Sequence, residues 1–270
     1  MRTRIMGVVN VTPDSFSDGG RFLDPDAAVA HGLRLRGQGA DILDVGGEST
    51  RPGADRIDPA RERERVLPVI DALAGESVLV SVDTMNAETA VAAVAAGARI
   101  VNDVSGGLAD PDMLAAVAGT AADVVLGHWR GPSAAMYDRA DYADVPREIA
   151  AELLGRLEAA AAAGIAPGRV ILDPGIGFGK RGAQNWAALR GLPGLVGLGP
   201  RVLVGTSRKR FLGEVLGEDA STARRDLATA VTSVLAARDG AWAVRVHDVL
   251  ATRDALRTAA AWEAGAAWTG

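Results

Sequence analysis

Short runs of branched apolar residues alternate along the chain with longer stretches rich in Ala, Leu, Arg and Glu. The short runs are RIMGVVNV (4–11), DILDVG (41–46), VLVSVD (78–83), IVNDVS (100–105), DVVLGHW (123–129), VILDPG (170–175), RVLVGTS (201–207) and WAVRVHD (242–248). Near-continuous apolar runs of this length predict strands covered on both faces, as in a parallel sheet. The intervening stretches predict helices over 26–37, 59–74, 86–96, 145–163, 221–239 and about 251–264. Asp24-Pro25, Asp58-Pro59 and Asp110-Pro111 each set a capping side chain before a proline, a helix-start signal. Strands alternating with helices imply βαβ units. Eight such units in 270 residues predict one domain, 1–270, folded as a (β/α)8 barrel. The alternative is an open doubly wound sheet, which would want a Gly-rich turn after its first strand, where this chain reads TPDSFSDGG. No linker or low-complexity segment interrupts the alternation.

Composition narrows the function classes. Hydrophobic residues make up 48% and the formal net charge is −5, so the chain carries no electrostatic footprint for nucleic acid or an anionic membrane. No apolar stretch approaches the roughly 20 residues that span a bilayer. The opening residues lack a signal-peptide pattern, which makes the cytoplasm the expected location. The absence of cysteine excludes a disulfide framework, a thiolate metal site and a cysteine nucleophile. The basic residues are almost all arginine; only Lys180 and Lys209 are lysine.

Polar residues collect at one end of the predicted strands: Asn10, Asp44 with Glu48, Asp83, Asn102 with Asp103, His128, Asp173, Ser207 with Lys209, and Arg245 with His247. Each alone reads as turn chemistry or a helix cap. Together, at the face where barrels of this kind carry their active sites, they predict a functional mouth. Asp83, Asn102 and Asp173 form an acidic, amide-bearing set suited to a flat heterocycle rich in N–H donors. Lys209, Arg245 and His247 form a cationic set after strands seven and eight, where phosphate sites recur in barrels. GTSRKRFLG (205–213) adds Ser207 and Arg208 to that set, and GIGFGK (175–180) reads as a loop. Asn10 ends the strand beside strand eight, and its amide oxygen suits Mg²⁺ shared with phosphates and waters. The long stretches VTPDSFSDGGRF and GGESTRPGA read as lids able to exclude water.

Seven motifs, MGVVNVTPDSFSDGG, DVGGESTRPGA, SVDT, VNDVSGG, LDPGIGFGK, VGTSRKRFLG and RVHDV, occur in this order from residue 6 to residue 249 and resemble the dihydropteroate synthase family. The resemblance implies a homodimeric (β/α)8 barrel that condenses 6-hydroxymethyl-7,8-dihydropterin diphosphate with p-aminobenzoate, using Mg²⁺. By motif match it implies that Asp83, Asn102, Asp173 and Lys209 bind the pterin. It implies that Asn10, Thr50, Arg51, Arg245 and His247 hold the diphosphate, Asn10 through the metal. Phe16 and Pro52 with Arg210 would build the aminobenzoate pocket, and Asp18 would join Lys209, Arg245 and His247 in catalysis by stabilising a pterin-methyl cation. Two positions depart from the family's pattern. Gly127 stands before His128 where a methionine is expected, which thins one wall of the pterin pocket or leaves it to Trp129. Arg210 stands where a small residue is expected, which alters the aminobenzoate pocket.

Three other readings remain open at this stage. A methyltransferase on a related pterin-binding barrel would share the Asp/Asn set but has no use for the cationic one. A Schiff-base aldolase would use Lys209, yet such a lysine normally sits inside a strand. A non-catalytic pterin-binding relative would not need Asn10, Arg245 and His247 together.

Overall fold

The computed structural model describes residues 2–12, 25–48, 56–132 and 136–265. Its strands are β1 (Arg4–Asn10), β2 (Ile42–Gly46), β3 (Val80–Asp83), β4 (Ile100–Asp103), β5 (Asp123–Gly127), β6 (Val170–Asp173), β7 (Arg201–Val204) and β8 (Ala243–Val246). All pair in parallel, each with its sequence neighbours, and β8 closes on β1 with Met6 opposite Arg245. The closed barrel is the predicted (β/α)8 architecture, and it leaves no edge strand. The helices are α1 (Pro25–Gln38), α2 (Pro59–Gly75), α3 (Ala87–Ala95), α4 (Met113–Ala118), α5 (Val145–Ala162), α6 (Gly182–Arg190), α7 (Leu192–Val196), α8 (Gly213–Leu216), α9 (Thr222–Arg238) and α10 (Val249–Ala264).

Strand alternation explains where the polar groups go. Met6, Ile42, Ile100, Val125, Ile171, Leu203 and Ala243 form a small inner cluster that fills the barrel near its N-terminal end, with Leu79 and Trp242 beneath it. The next residue on most strands, such as Leu43, Val101, Leu126, Leu172, Val204 and Val244, faces outward into the large core shared with the helices. Two residues on, the inward positions become Asp44, Asn102, Gly127, Asp173, Gly205 and Arg245. An apolar plug below and polar groups above therefore come from one register.

Several strands stop earlier than their apolar runs. At β4 the Asp103 carboxylate accepts hydrogen bonds from Ser105 N (2.8 Å), Ser105 Oγ (2.6 Å) and Gly107 N (2.6 Å), which turns the chain out of the sheet. At β6 the Asp173 carboxylate accepts from Gly175 N at 2.7 Å, with the same effect. Asp58 caps α2 as predicted, accepting from Ala60 N at 2.7 Å. Asp110 makes the same i+2 bond, accepting from Asp112 N at 3.0 Å just ahead of α4, which begins at Met113, and its other oxygen accepts from Ala87 N (2.8 Å) at the start of the neighbouring α3. Asp24 lies outside the described residues.

Candidate active site

The mouth of the barrel is organised around Arg245 on β8. Its Nε donates to Asp44 of β2 at 2.6 Å and its Nη2 to Asp83 of β3 at 2.7 Å. Asn102 of β4 donates from its amide to the same Asp44 oxygen at 2.9 Å. Asp44 is fully buried and Asp83 nearly so. The two half-sites read from the sequence are thus one interlocked network, with the cation seated among the acids. The guanidinium carries five N–H donors, so these two contacts leave others available for a ligand. Burial drives the Asp83 carboxyl up to about 7, against the opposing pull of Arg245. Asp44 was read from the sequence only as a strand-end residue, and the structure makes it the shared acceptor that holds Asn102 and Arg245 in place.

On the opposite wall, burial also raises the Asp173 carboxyl, while Lys209 lowers it. Lys209 follows β7 and reaches back across the mouth. Its Nζ donates to the Ile176 carbonyl and lies 4.5 Å from the centre of the Phe178 ring. Burial lowers the Lys209 ammonium to about 8, with Asp173 opposing the shift. Ser207 accepts from the His247 backbone N–H at 3.1 Å, and its oxygen lies 2.8 Å from His247 Nδ1. The hydroxyl thus bridges the His247 backbone and its ring, and holds the imidazole against the turn after β7.

The neighbouring arginines separate. Arg208, counted with the phosphate loop from the sequence, turns outward instead and makes a two-pronged pair with Asp226 of α9 at 2.7 and 2.8 Å. Its backbone sits at φ 57, a strained value for a residue with a side chain. Arg210 is exposed at the start of a short turn of helix, Arg210–Leu212. Asn10 is half-buried at the end of β1, in register with Gly46. Among the described residues, no group of three acidic or histidine side chains converges to hold a metal ion.

Phe16, Asp18, Thr50, Arg51 and Pro52 lie outside the described residues. The base of their second loop is firmly held. Arg56 pairs with Glu48 at 3.1 Å and donates to Asn86 at 2.6 Å. Fully buried Glu62 accepts from Asn86 (2.7 Å) and Thr84 (3.0 Å). Gly127 resolves the first departure. A Cβ at that position would stand 2.4 Å from the Val104 carbonyl oxygen, so the backbone after β4 occupies the space a side chain would take.

Two further residues stand out, one in the GIGFGK loop and one at the end of β5. Lys180 and His128 are both buried, 3.0 Å apart through Nζ and Nδ1. The only advance signal was the rarity of lysine in the chain. A groove of about 720 Å³ between α2, α3 and α4, lined by Arg63, Asn86, Val91 and Ala92 among others, lies on the helical outside. The convergent polar groups are at the mouth, which makes the mouth the candidate site.

Known proteins resemble the chain over nearly its whole length. A family model described as pterin binding enzyme matches residues 6–247. The dihydropteroate synthase of Mycobacterium leprae is 53% identical over 264 residues, covering 96% of this chain and 93% of that one. That of Synechocystis is 42% identical over 259 residues, covering 96% and 89%. Among solved structures, Xanthomonas albilineans dihydropteroate synthase with 4-aminobenzoic acid superposes with a TM-score of 0.90 at 48% identity, over 97% of this chain and 94% of that chain. The same enzyme in complex with 7,8-dihydropteroate gives 0.87 at 46% identity, with the same coverage. Yersinia pestis dihydropteroate synthase in a sulfonamide complex gives 0.91 at 39% identity, over 98% and 95%.

Proposed function

The chain belongs to the pterin-binding enzyme family, and from that membership and the relatives it matches we infer the reaction it performs. It is a transferase of folate synthesis that condenses 6-hydroxymethyl-7,8-dihydropterin diphosphate with p-aminobenzoate, giving 7,8-dihydropteroate and diphosphate. The observation that carries the site assignment is the joining of Asp44, Asp83, Asn102 and Arg245 into one network at the mouth.

In the proposed division of labour, Asp83, Asn102 and Asp173 accept and donate along the polar edge of the pterin, and Lys209 approaches the ring from above the Ile176 carbonyl. Arg245 has two tasks. It fixes the Asp44 and Asp83 carboxylates with one donor each, and offers the remaining ones to the diphosphate. His247, held by Ser207, donates from its ring to the same group. An aryl amine is uncharged near neutral pH and already nucleophilic, so no strong base is required. The demanding event is departure of diphosphate, and donors fixed in advance in a water-poor mouth stabilise the charge that develops on it. Loss of diphosphate then precedes attack by the amine. Thr50 and Arg51 contact the diphosphate, Asp18 stabilises the cationic pterin methylene, and Phe16, Pro52 and Arg210 bound the aminobenzoate.

The residues present fit Mg²⁺ held mainly by its substrate. This ion keeps few protein ligands beside phosphates and waters, and one amide oxygen at Asn10 beside β8 matches that demand better than an all-protein cage would. Bound there, Mg²⁺ neutralises charge on the leaving diphosphate. Calorimetric titration with the pterin diphosphate tests this arrangement. Mg²⁺ should tighten binding to the parent and have a much smaller effect on Asn10→Ala; an equal Mg²⁺ effect on both would remove Asn10 from the metal.

We further propose a cytoplasmic, single-domain homodimer. Among the described residues no helix is long and apolar enough to cross a membrane. Leu227, Val231 and Leu235 line one face of α9 at 66%, 52% and 51% exposure, and Trp262 of the adjoining α10 is 83% exposed. Such an apolar stripe suits a second copy. Light scattering should give a dimer for the parent and a monomer for Val231→Asp; a monomeric parent would contradict it.

A further inference from the structure

Lys180 is among the largest fully buried side chains, at 1% exposure. A buried ammonium costs several kcal/mol unless its donors are satisfied. Here all three N–H groups have partners: His128 Nδ1 at 3.0 Å, the Gly175 carbonyl at 2.9 Å and the Phe178 carbonyl at 3.0 Å. All three partners are neutral. Accepting at Nδ1 fixes the His128 proton on Nε2, and Nε2 lies 2.9 Å from the Glu152 carboxylate. Burial pulls the Lys180 ammonium down to about 7, and the nearby Asp173 and Glu152 carboxylates oppose that shift.

What these bonds hold is one short loop. Residues 173–178 run from Asp173, through Gly175, to Ile176 and Phe178. Gly175 has φ +63, and a Cβ there would stand 2.1 Å from the His128 carbonyl oxygen, so the turn is pressed against the end of β5. Gly175 N also holds the Asp173 carboxylate at 2.7 Å. On the far side of the same loop, Lys209 rests on the Ile176 carbonyl and the Phe178 ring. Two lysines thus grip one loop from opposite sides: Lys209 at the mouth, Lys180 from within.

We propose that Lys180 is a positioning residue whose buried ammonium templates the Asp173–Phe178 loop, and so sets both the pterin-facing carboxylate and the platform of Lys209. The assignment rests on the reaction inferred above. It does not make Lys180 a contact of either substrate.

The chain has no cysteine, so Lys180→Cys can be alkylated at a single site in denaturant and refolded, with the parent taken through the same route. Aminoethylation rebuilds a lysine-like ammonium; carboxamidomethylation places a neutral amide at similar reach. The readouts are affinity for the dihydropterin diphosphate by calorimetry, the KM and kcat for each substrate, and circular dichroism. Lys180→Met and the amide adduct should bind the pterin about tenfold or more weakly, with the KM for p-aminobenzoate less affected, and the aminoethyl adduct should recover most of the loss. Equal pterin affinity in the two adducts, or a folded Lys180→Met that binds like the parent, overturns the proposal. Failure of every variant to fold also overturns it, in favour of a structural role. Pterin affinity is read independently of turnover, so a parent that binds but does not react would count against the reaction and not against Lys180.

Discussion

Replacing Arg245 by Met removes a guanidinium and keeps most of its apolar stem. Two bonds to carboxylates are lost, at 2.6 and 2.7 Å, and the carboxylate side chains left behind are 0% and 8% exposed. Bonds to charged groups contribute about 1.5–3 kcal/mol each, and stripping one member from a buried ion pair costs about 3–5 kcal/mol. The cost should depend on pH with a definite sign. Asp83 has a folded-state value of about 7, above its ordinary 3.8, so its folded state holds the proton more tightly. Relative stability is then full at low pH and lost as pH rises through about 7. Without Arg245, the pull opposing that rise is gone and the loss extends to higher pH, by about 1.4 kcal/mol for each unit of further shift. Urea unfolding at pH 6 and pH 8.5 should show Arg245→Met much less stable than the parent at pH 8.5, with part of the deficit recovered at pH 6. Adding Asp83→Asn removes one stranded charge, so the double variant should be more stable than the sum of the single losses, by about 1–3 kcal/mol. Single losses that add, with no dependence on pH, would refute the interlocked network.

Asp83→Asn alone should weaken pterin binding about tenfold or more, because an acceptor aimed at ring N–H groups becomes partly a donor; unchanged calorimetric affinity would remove it from the pterin. Lys209→Ala should lower kcat about a hundredfold or more with the fold retained by circular dichroism, whereas Arg208→Ala, which loses only the pair with Asp226, should leave kcat near the parent's. Because Lys209 is cationic below about 8, kcat/KM should fall as pH rises through that value, and Lys209→Arg should move that limb to higher pH; a flat profile would deny the ammonium a role. Gly127→Ala should destabilise the protein by about 1–3 kcal/mol through contact with the Val104 carbonyl, read as a lowered urea midpoint.

The barrel was legible because parallel strands buried on both faces leave a signal in sequence that survives without long-range information: VIL (170–172) and VLV (78–80) are apolar whichever way they face. Strand ends were less legible. Asp103 and Asp173 sit in apolar runs, and only their carboxylates' bonds to later backbone N–H groups reveal that the chain turns there. The site's membership was visible in the strand-end residues, but its wiring was not. Nothing in RVHDV says that Arg245 reaches two other strands, since that contact spans 201 positions to Asp44. Arg208 and Lys209 are adjacent in sequence, yet one faces α9 and the other the mouth, because the φ 57 turn at Arg208 sends successive side chains apart. Lys180 was hidden for the opposite reason: a lysine in a Gly-rich loop reads as exposed, and its burial depends on His128 arriving from another strand.

The central claim is that this mouth joins a dihydropterin to p-aminobenzoate with diphosphate as the leaving group. Purified protein supplied with 6-hydroxymethyl-7,8-dihydropterin diphosphate, p-aminobenzoate and Mg²⁺ should release diphosphate and form 7,8-dihydropteroate in equal amounts, with a sulfonamide competing against the aminobenzoate. Failure to form dihydropteroate with both substrates present and the fold intact would contradict the account.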